Sequence, residues 1–362
     1  MNNQVRKFPL RLLAIALTAL ASLSFAQEAA GQIQLVAVQM TLDLDDYWTA
    51  EAFEAKIRQR MEAVAAATDS SLPTLVVFPE DVGLMLVVQG MQERLEGIAS
   101  ISEAISTVVS SQAVPLAWTR LIRWKSWVPA LFLRHNRRIA EQYFTVFGDV
   151  AEEHGVYLVA GSAVLPPYRI SDGEVDWQRG PERHVVHNTS YLFGPDGSVL
   201  GSQDKVELIA LETADALDLT PGTVDGLQVF DTPLGVIGIA ICLDAFSEKV
   251  TLRLAELGAQ ILVQPSANPA AWDDWQQEDW LRSAQLMTAG NGRFDYAINP
   301  MLNGPLWDVA FFGQSSITAR TASDSVLGYA DMGGMPGFIS VAGSADSEEI
   351  LVAVVPHPDL LD

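Results

Sequence analysis

The sequence predicts a layered α/β fold with a sheet-on-sheet interior. Three observations predict it. Short apolar runs of strand length recur along the chain, segments of helical periodicity separate several of them, and some runs are joined by a tight turn while others lie far apart. Tight turns join antiparallel strands and long crossovers join parallel ones, so the sheets are mixed and helices must cover them.

The elements follow in order. IQLVAVQ (33–39) is an apolar run suited to a buried strand. TAEAFEAKIRQRMEAVAAAT (49–68) places Ala52, Phe53, Ile57, Met61 and Val64 on one side of a helix. TLVVFP (74–79) and VYLVAGS (156–162) are the next strands. VVHNTSYLFG and SVLGSQ flank Pro195-Asp196-Gly197 and read as a hairpin. GVIGIAI (235–241) and QILVQP (260–265) are strands separated by a helix, which starts at an N-cap Ser247 and stops before Gly258. DYAIN, SSITA, GFISVA and EILVAVVP complete the strands. With no internal repeat, low-complexity linker or composition break, residues 27–362 read as one domain.

Composition narrows the function. Of 362 residues, 49% are apolar, ample for a large core. The net charge of −23 disfavours binding nucleic acid through its phosphates. The first residues read as a targeting segment: Arg6, Lys7 and Arg11 precede the apolar run Leu12 to Ala26, whose small residues Ser24 and Ala26 suit a cleavage site. The run is shorter than the about 20 residues a spanning helix needs. The expectation is a signal cut after Ala26 and an exported protein, periplasmic or extracellular; the alternative is retention at the membrane by an uncleaved signal.

One stretch departs from this acidity. From Ala104 to Ala140 there is no acidic residue but six basic ones, Arg120, Arg123, Lys125, Arg134, Arg137 and Arg138, with Trp118, Trp124 and Trp127 among them. Two readings stand: a helix pair docked on the domain or on another subunit, or peripheral membrane contact through 118–138.

Several chemistries lack their motifs. There is no G-x-S-x-G elbow, no P-loop and no G-x-G-x-x-G. His184 and His187 lack neighbouring ligands at metal-site spacing. Asn188-Thr189-Ser190 matches a glycosylation sequon, by chance on this reading because it lies at a strand start.

The only cysteine, Cys242, ends an apolar strand. A thiol, with an ordinary pKa of about 8.5, needs a base before it is nucleophilic. Backbone N–H groups at such a strand end are expected to favour the thiolate. Glu80 follows another apolar strand in VVFPEDVG, where partial desolvation raises a carboxyl pKa towards that of a general base. Lys205 ends the hairpin in VLGSQDKVEL, placed to hold charge on a tetrahedral intermediate. Singly, each has an ordinary structural explanation; together they share one strand-end pattern.

FPE, DKVEL and GIAICLD, in this order, resemble the Glu–Lys–Cys triad of the nitrilase (carbon–nitrogen hydrolase) superfamily. LVAVQM, VHNTSYLFGPDGSVLGSQDKVEL, GAQILVQPSANPAAW, NGRFDYAINPMLNG and FFGQSSI resemble further family segments, so the likeness covers roughly residues 33–355. The resemblance implies a four-layer α-β-β-α sandwich, assembled as a homodimer or larger. It implies Glu80 as general base, Cys242 as the nucleophile that forms an acyl-enzyme, and Lys205 with the Leu243 backbone N–H as oxyanion stabilisers. It implies Glu212 as a second glutamate that helps to position substrate, although its spacing from Lys205 is one residue shorter than the commonest form. No metal or organic cofactor is implied. Leu243 and Asp244 stand where many nitrilases have Trp and Glu, which points to a small-molecule amide substrate rather than a nitrile. The segment after Glu80 is longer than usual, an insertion around 85–140 placed to shape the mouth of the site. An N-acyltransferase of the same superfamily and a catalytically silent, membrane-associated scaffold remain as alternatives.

Overall fold

In the first strand, β1 (Gln32–Thr41), side chains on both faces are buried, and successive residues serve different cores. Val36, Val38 and Met40 point to one cluster, while Ile33, Leu35 and Ala37 point to another. A strand apolar on both faces must sit between two layers. The computed structural model describes residues 31–113, 116–117, 126–182, 185–213 and 216–361. The segment read as a signal lies outside them, as do Trp118, Arg120, Arg123, Trp124, Lys125 and His184.

In chain order the further strands are β2 (Thr74–Val77), β3 (Tyr157–Val159), β4 (Ala163–Leu165), β5 (Ile170–Ser171), β6 (Glu174–Val175), β7 (His187–Phe193), β8 (Val199–Asp204), β9 (Val229–Thr232) and β10 (Gly235–Ile239). They continue with β11 (Ile261–Val263), β12 (Ser266–Ala267), β13 (Tyr296–Asn299), β14 (Met301–Leu306), β15 (Val309–Phe311), β16 (Ser316–Ala319), β17 (Phe338–Val341) and β18 (Glu349–Pro356). Ten of them form one sheet in the order β12-β14-β1-β2-β3-β7-β4, with β18 on β1, β15 on β14 and β8 on β7. Six form the other, in the order β17-β16-β13-β11-β10-β9. Both sheets are mixed: β1, β2 and β3 run parallel, as do β10, β11 and β13, whereas β7 and β8 form the antiparallel hairpin.

The sheets meet face to face. Leu35, Leu75, Val77 and Leu192 of the larger pack with Ile237, Ile239, Val263 and Ile298 of the smaller in one buried cluster. Helix Ala50–Ala67 covers the outer face of the larger sheet with Phe53, Ile57, Met61 and Val64, while Ala52 is only half-buried. Helix Glu248–Glu256 covers the smaller sheet with Val250 and Leu254. This is the four-layer α-β-β-α sandwich.

The basic and aromatic stretch is mostly helical where it is described. Helix Ile101–Ser111 is followed by helix Trp127–His154, which runs without a break past residue 140 and caps at Gly155 in the left-handed region. Trp127 packs against the core. Arg138 is held by the carbonyls of Leu86 and Val87 and by Gln89. Arg137 lies 4.5 Å over the Trp177 ring. Among the described residues no helix is long and apolar enough to cross a membrane.

Candidate active site

Strand ends from both sheets converge on one buried point. Glu80 lies just beyond β2, Lys205 directly after β8, and Cys242 just beyond β10. Parallel strands aligned in this way open a crevice at their carboxyl ends, where ligands of α/β sheets bind. The Lys205 ammonium donates to Glu80 Oε1 at 2.7 Å and to Glu212 Oε2 at 2.7 Å. Asn188, on β7, donates through one amide nitrogen to Glu80 Oε1 at 2.9 Å and to Glu212 Oε1 at 2.8 Å. The Ala267 N–H donates to Glu80 Oε2 at 3.2 Å. The Cys242 thiol is within hydrogen-bonding reach of the Glu80 carboxylate, and its Sγ lies 3.8 Å from the Ala267 carbonyl oxygen. Glu80, Asn188, Lys205, Glu212 and Cys242 are all buried.

Local backbone geometry sets these positions. VYLVAGS breaks into β3 and β4 at Gly161, whose φ is +65°. A Cβ there would lie 2.0 Å from the Pro79 carbonyl oxygen, so only glycine lets the Pro79-Glu80 turn pass. Cys242 itself has φ +48°, the left-handed region, at the start of the tight turn Cys242–Phe246. A non-glycine residue held there costs on the order of 1–3 kcal/mol, and such strain clusters at functional sites. Leu243 follows in the first turn, where N–H groups lack partners within the helix. The neighbouring Asp244 carboxylate accepts N–H bonds from Ile241, Val206 and Glu207, at distances down to 2.7 Å, and so ties the cysteine turn to the segment after Lys205. Burial pushes the Asp244 pKa up to about 7, against the pull of its Glu207 and Val206 N–H donors.

Charge balance sets the protonation states. Burial raises the Glu80 pKa above that of an ordinary glutamate; Lys205 opposes this and the Glu212 charge adds to it. Burial works to lower the Lys205 pKa, but Glu80, then Cys242 and Glu212, carry it well above the usual lysine range, so it stays an ammonium. The Cys242 thiol is pushed well up by burial and by the Glu80 charge, despite Lys205. This corrects the expectation of a thiolate favoured by backbone N–H groups. The sulfur faces a carbonyl and a carboxylate, both acceptors, so the resting group keeps its proton and points it at a base.

The structure thus brings Glu80, Lys205, Cys242 and Glu212 together. The shorter Lys205–Glu212 spacing is closed by the tight turn Ala210–Glu212, in which the Ile209 N–H donates to Glu212 Oε2 at 2.9 Å. Asn188, Asp244 and Ala267 were not picked out by the sequence. The only signal for Asn188 is a polar residue within a strand that is buried throughout, and its 1% exposure leaves no room for a glycan at the sequon.

Fold and cluster together define an α-β-β-α sandwich with a cysteine-centred polar site at its strand ends. The profile of the carbon-nitrogen hydrolase family matches residues 35–325. The chain belongs to that family. Omega-amidase NIT2-A of Xenopus laevis is 30% identical over 153 residues, 39% of this chain and 49% of that relative. Omega-amidase NIT2 of Homo sapiens is 28% identical over 180 residues, 46% of this chain and 58% of the relative. The chain thus spans about half the length of the curated relatives it matches. The carbon-nitrogen hydrolase from Helicobacter pylori G27 is similar with a TM-score of 0.56 and 18% identity, covering 91% of each chain. An amidase from Nesterenkonia sp. AN1 is similar with a TM-score of 0.54 and 16% identity, covering 90% of this chain and 93% of that one. These two likenesses concern the fold.

Proposed function

We propose that the chain is an amidase that cleaves a non-peptide carbon–nitrogen bond through a cysteine acyl-enzyme. The observation that carries this is the Lys205 ammonium 2.7 Å from both Glu80 and Glu212, with the Cys242 thiol in reach of Glu80. Glu80 takes the thiol proton as Cys242 Sγ attacks the amide carbon. The Lys205 ammonium and the Leu243 N–H hold the developing oxyanion. Collapse of the tetrahedral intermediate breaks the C–N bond, and protonated Glu80 gives its proton to the departing amine. Glu80 then deprotonates a water molecule that attacks the thioester, which releases the carboxylic acid and the thiol. Glu212 and Asn188 hold Lys205 and Glu80 in register throughout.

The names of the relatives agree with this reading, since several are omega-amidases and amidases. The Nesterenkonia amidase takes acrylamide by Michael addition at its active-site cysteine, and the acetamide moiety of fluoroacetamide adds there covalently. The test is intact mass after treatment of this protein with the same two reagents, alongside ammonia release from primary amides. Wild type is expected to form one adduct and release ammonia; Cys242→Ala is expected to do neither. Ammonia release that survives Cys242→Ala would overturn the mechanism. The basic-then-apolar first 26 residues support export, and the family likeness supports a homodimer or larger assembly. Cell fractionation and sedimentation test these two readings.

A further inference from the structure

An apolar pocket opens directly beside the proposed nucleophile. Its cavity volume is about 110 Å³, and its floor includes Ala267 and Glu212, the residues in contact with Cys242 and Lys205. Its walls come from the long segment between Glu80 and β3. Ile101, Ala104, Ile105 and Val108 present the i, i+3, i+4, i+7 face of one helix, and Leu131 and Phe132 face them from the next. The β14–β15 hairpin closes one side with Trp307, and the Asp308 carboxylate at its tip is clamped to helix Ile101–Ser111 by the Ile101 N–H at 2.9 Å.

The charges in this lining are of one sign. Asp81 and Glu212 contribute carboxyls, and no Lys, Arg or His is among the described residues that line it. Glu212 is already paired with Lys205. An apolar wall and the adjacent Glu80 push the Asp81 pKa well above the usual carboxylate range, so nothing here favours a further anion. A substrate tail bearing a carboxylate would lose its hydration and meet no cation. An alkyl or aryl tail would bury apolar surface instead. The group that stays bonded to Sγ while the amine departs is the acyl group, and an enclosed pocket suits the part that remains.

We infer that this pocket holds the acyl side of the substrate, and that the chain acts on amides of uncharged apolar carboxylic acids of about four to six carbons rather than on amides bearing a second carboxylate. The size follows from comparison with an apolar cavity of about 150 Å³ that accepts benzene. The inference rests on the amidase reading above and adds to it the class of substrate.

The test is kcat/KM for primary amides from acetamide to octanamide, for succinamic acid, and for N-alkyl acetamides that carry the tail on the amine side. Each added methylene on the acyl side is expected to raise kcat/KM about fourfold, levelling off beyond about six carbons. Succinamic acid and N-alkyl acetamides are expected to fall below hexanamide. Ile105→Glu is expected to collapse the preference for hexanamide over acetamide. A flat chain-length profile, a preference for succinamic acid, or a rise seen only with N-alkyl acetamides would overturn the inference while leaving the amidase reading intact. Calorimetry with Cys242→Ala reads the pocket without turnover: hexanamide binding more tightly than acetamide and succinamic acid supports it, and equal or absent binding overturns it. Absence of turnover on every amide together with chain-length-dependent binding would refute the hydrolase reading alone.

Discussion

Asn188→Leu removes one side-chain nitrogen that holds two carboxylates. Leucine keeps the volume and the strand, but Glu80 and Glu212 each lose a donor, at 2.9 and 2.8 Å in the native site. A hydrogen bond to a charged group contributes about 1.5–3 kcal/mol. Because Asn188 donates, it favours the ionised form of Glu80 and holds its pKa down against burial. Its loss lets that pKa rise by about 1–2 units, at about 1.4 kcal/mol per unit. The mechanism needs Glu80 as carboxylate, so activity falls as pH drops through that pKa. The acid limb of kcat/KM in Asn188→Leu is therefore expected about 1–2 pH units above that of wild type. The assay is ammonia release from a primary amide across the pH range, with thermal unfolding at each pH to separate inactivation from titration. A uniform fall in rate with an unmoved acid limb would show that Asn188 merely fills space.

Other perturbations test other parts of the site. Lys205→Met keeps the stem but removes the ammonium, and kcat is expected to fall by about 10²–10³; retention of full activity would remove Lys205 from the mechanism. Gly161→Ala forces a Cβ to within 2.0 Å of the Pro79 carbonyl and strains a positive φ, so loss of about 2 kcal/mol or more in denaturant melts is expected, with Glu80 displaced. Asp244→Ala leaves the Ile241, Val206 and Glu207 N–H groups without their acceptor, and about 1–3 kcal/mol per buried group left unsatisfied should appear as a lowered melting temperature. Because burial raises the Cys242 pKa, iodoacetamide labelling is expected to be slow at pH 7 and to quicken above pH ~9; rapid labelling at pH 7 would indicate a resting thiolate.

The parts legible in the sequence were those that carry their own pattern. β1, β2, β10 and β11 announce themselves as apolar runs, and the Pro195-Asp196-Gly197 turn fixes the β7–β8 hairpin. Glu80, Lys205 and Cys242 could be found because each sits where an apolar run stops. β4 and β12, of three and two residues, are too short to show a period, and their boundaries depend on what lies across the sheet. Asn188 acts on a partner 108 residues away, a pairing that no local pattern encodes. The protonation of Cys242 was misjudged for a related reason: strand-end geometry suggested donors, whereas the acceptor that faces the sulfur arrives from Ala267 on another strand. The apolar face of helix Ile101–Ser111 can be read as a period, but the helix and hairpin that complete the pocket opposite it cannot.

The pairing of β1 with β18 bears on how the chain reaches its native state. Gln32 lies opposite Pro356 and Gln39 opposite Glu349, so the earliest strand of the sandwich finds its antiparallel neighbour only among the last residues to leave the ribosome. Such a contact spans nearly the whole sequence, and closing it comes late and slowly. A nascent chain short of residue 349 has one side of β1 open over most of its length and cannot complete the inter-sheet core that Leu351, Ala353 and Val355 help to fill. Until its synthesis ends, the polypeptide therefore stays in a form that proteases digest and that a translocation channel can thread. Release of a protease-resistant product should coincide with completion of β18 and not precede it.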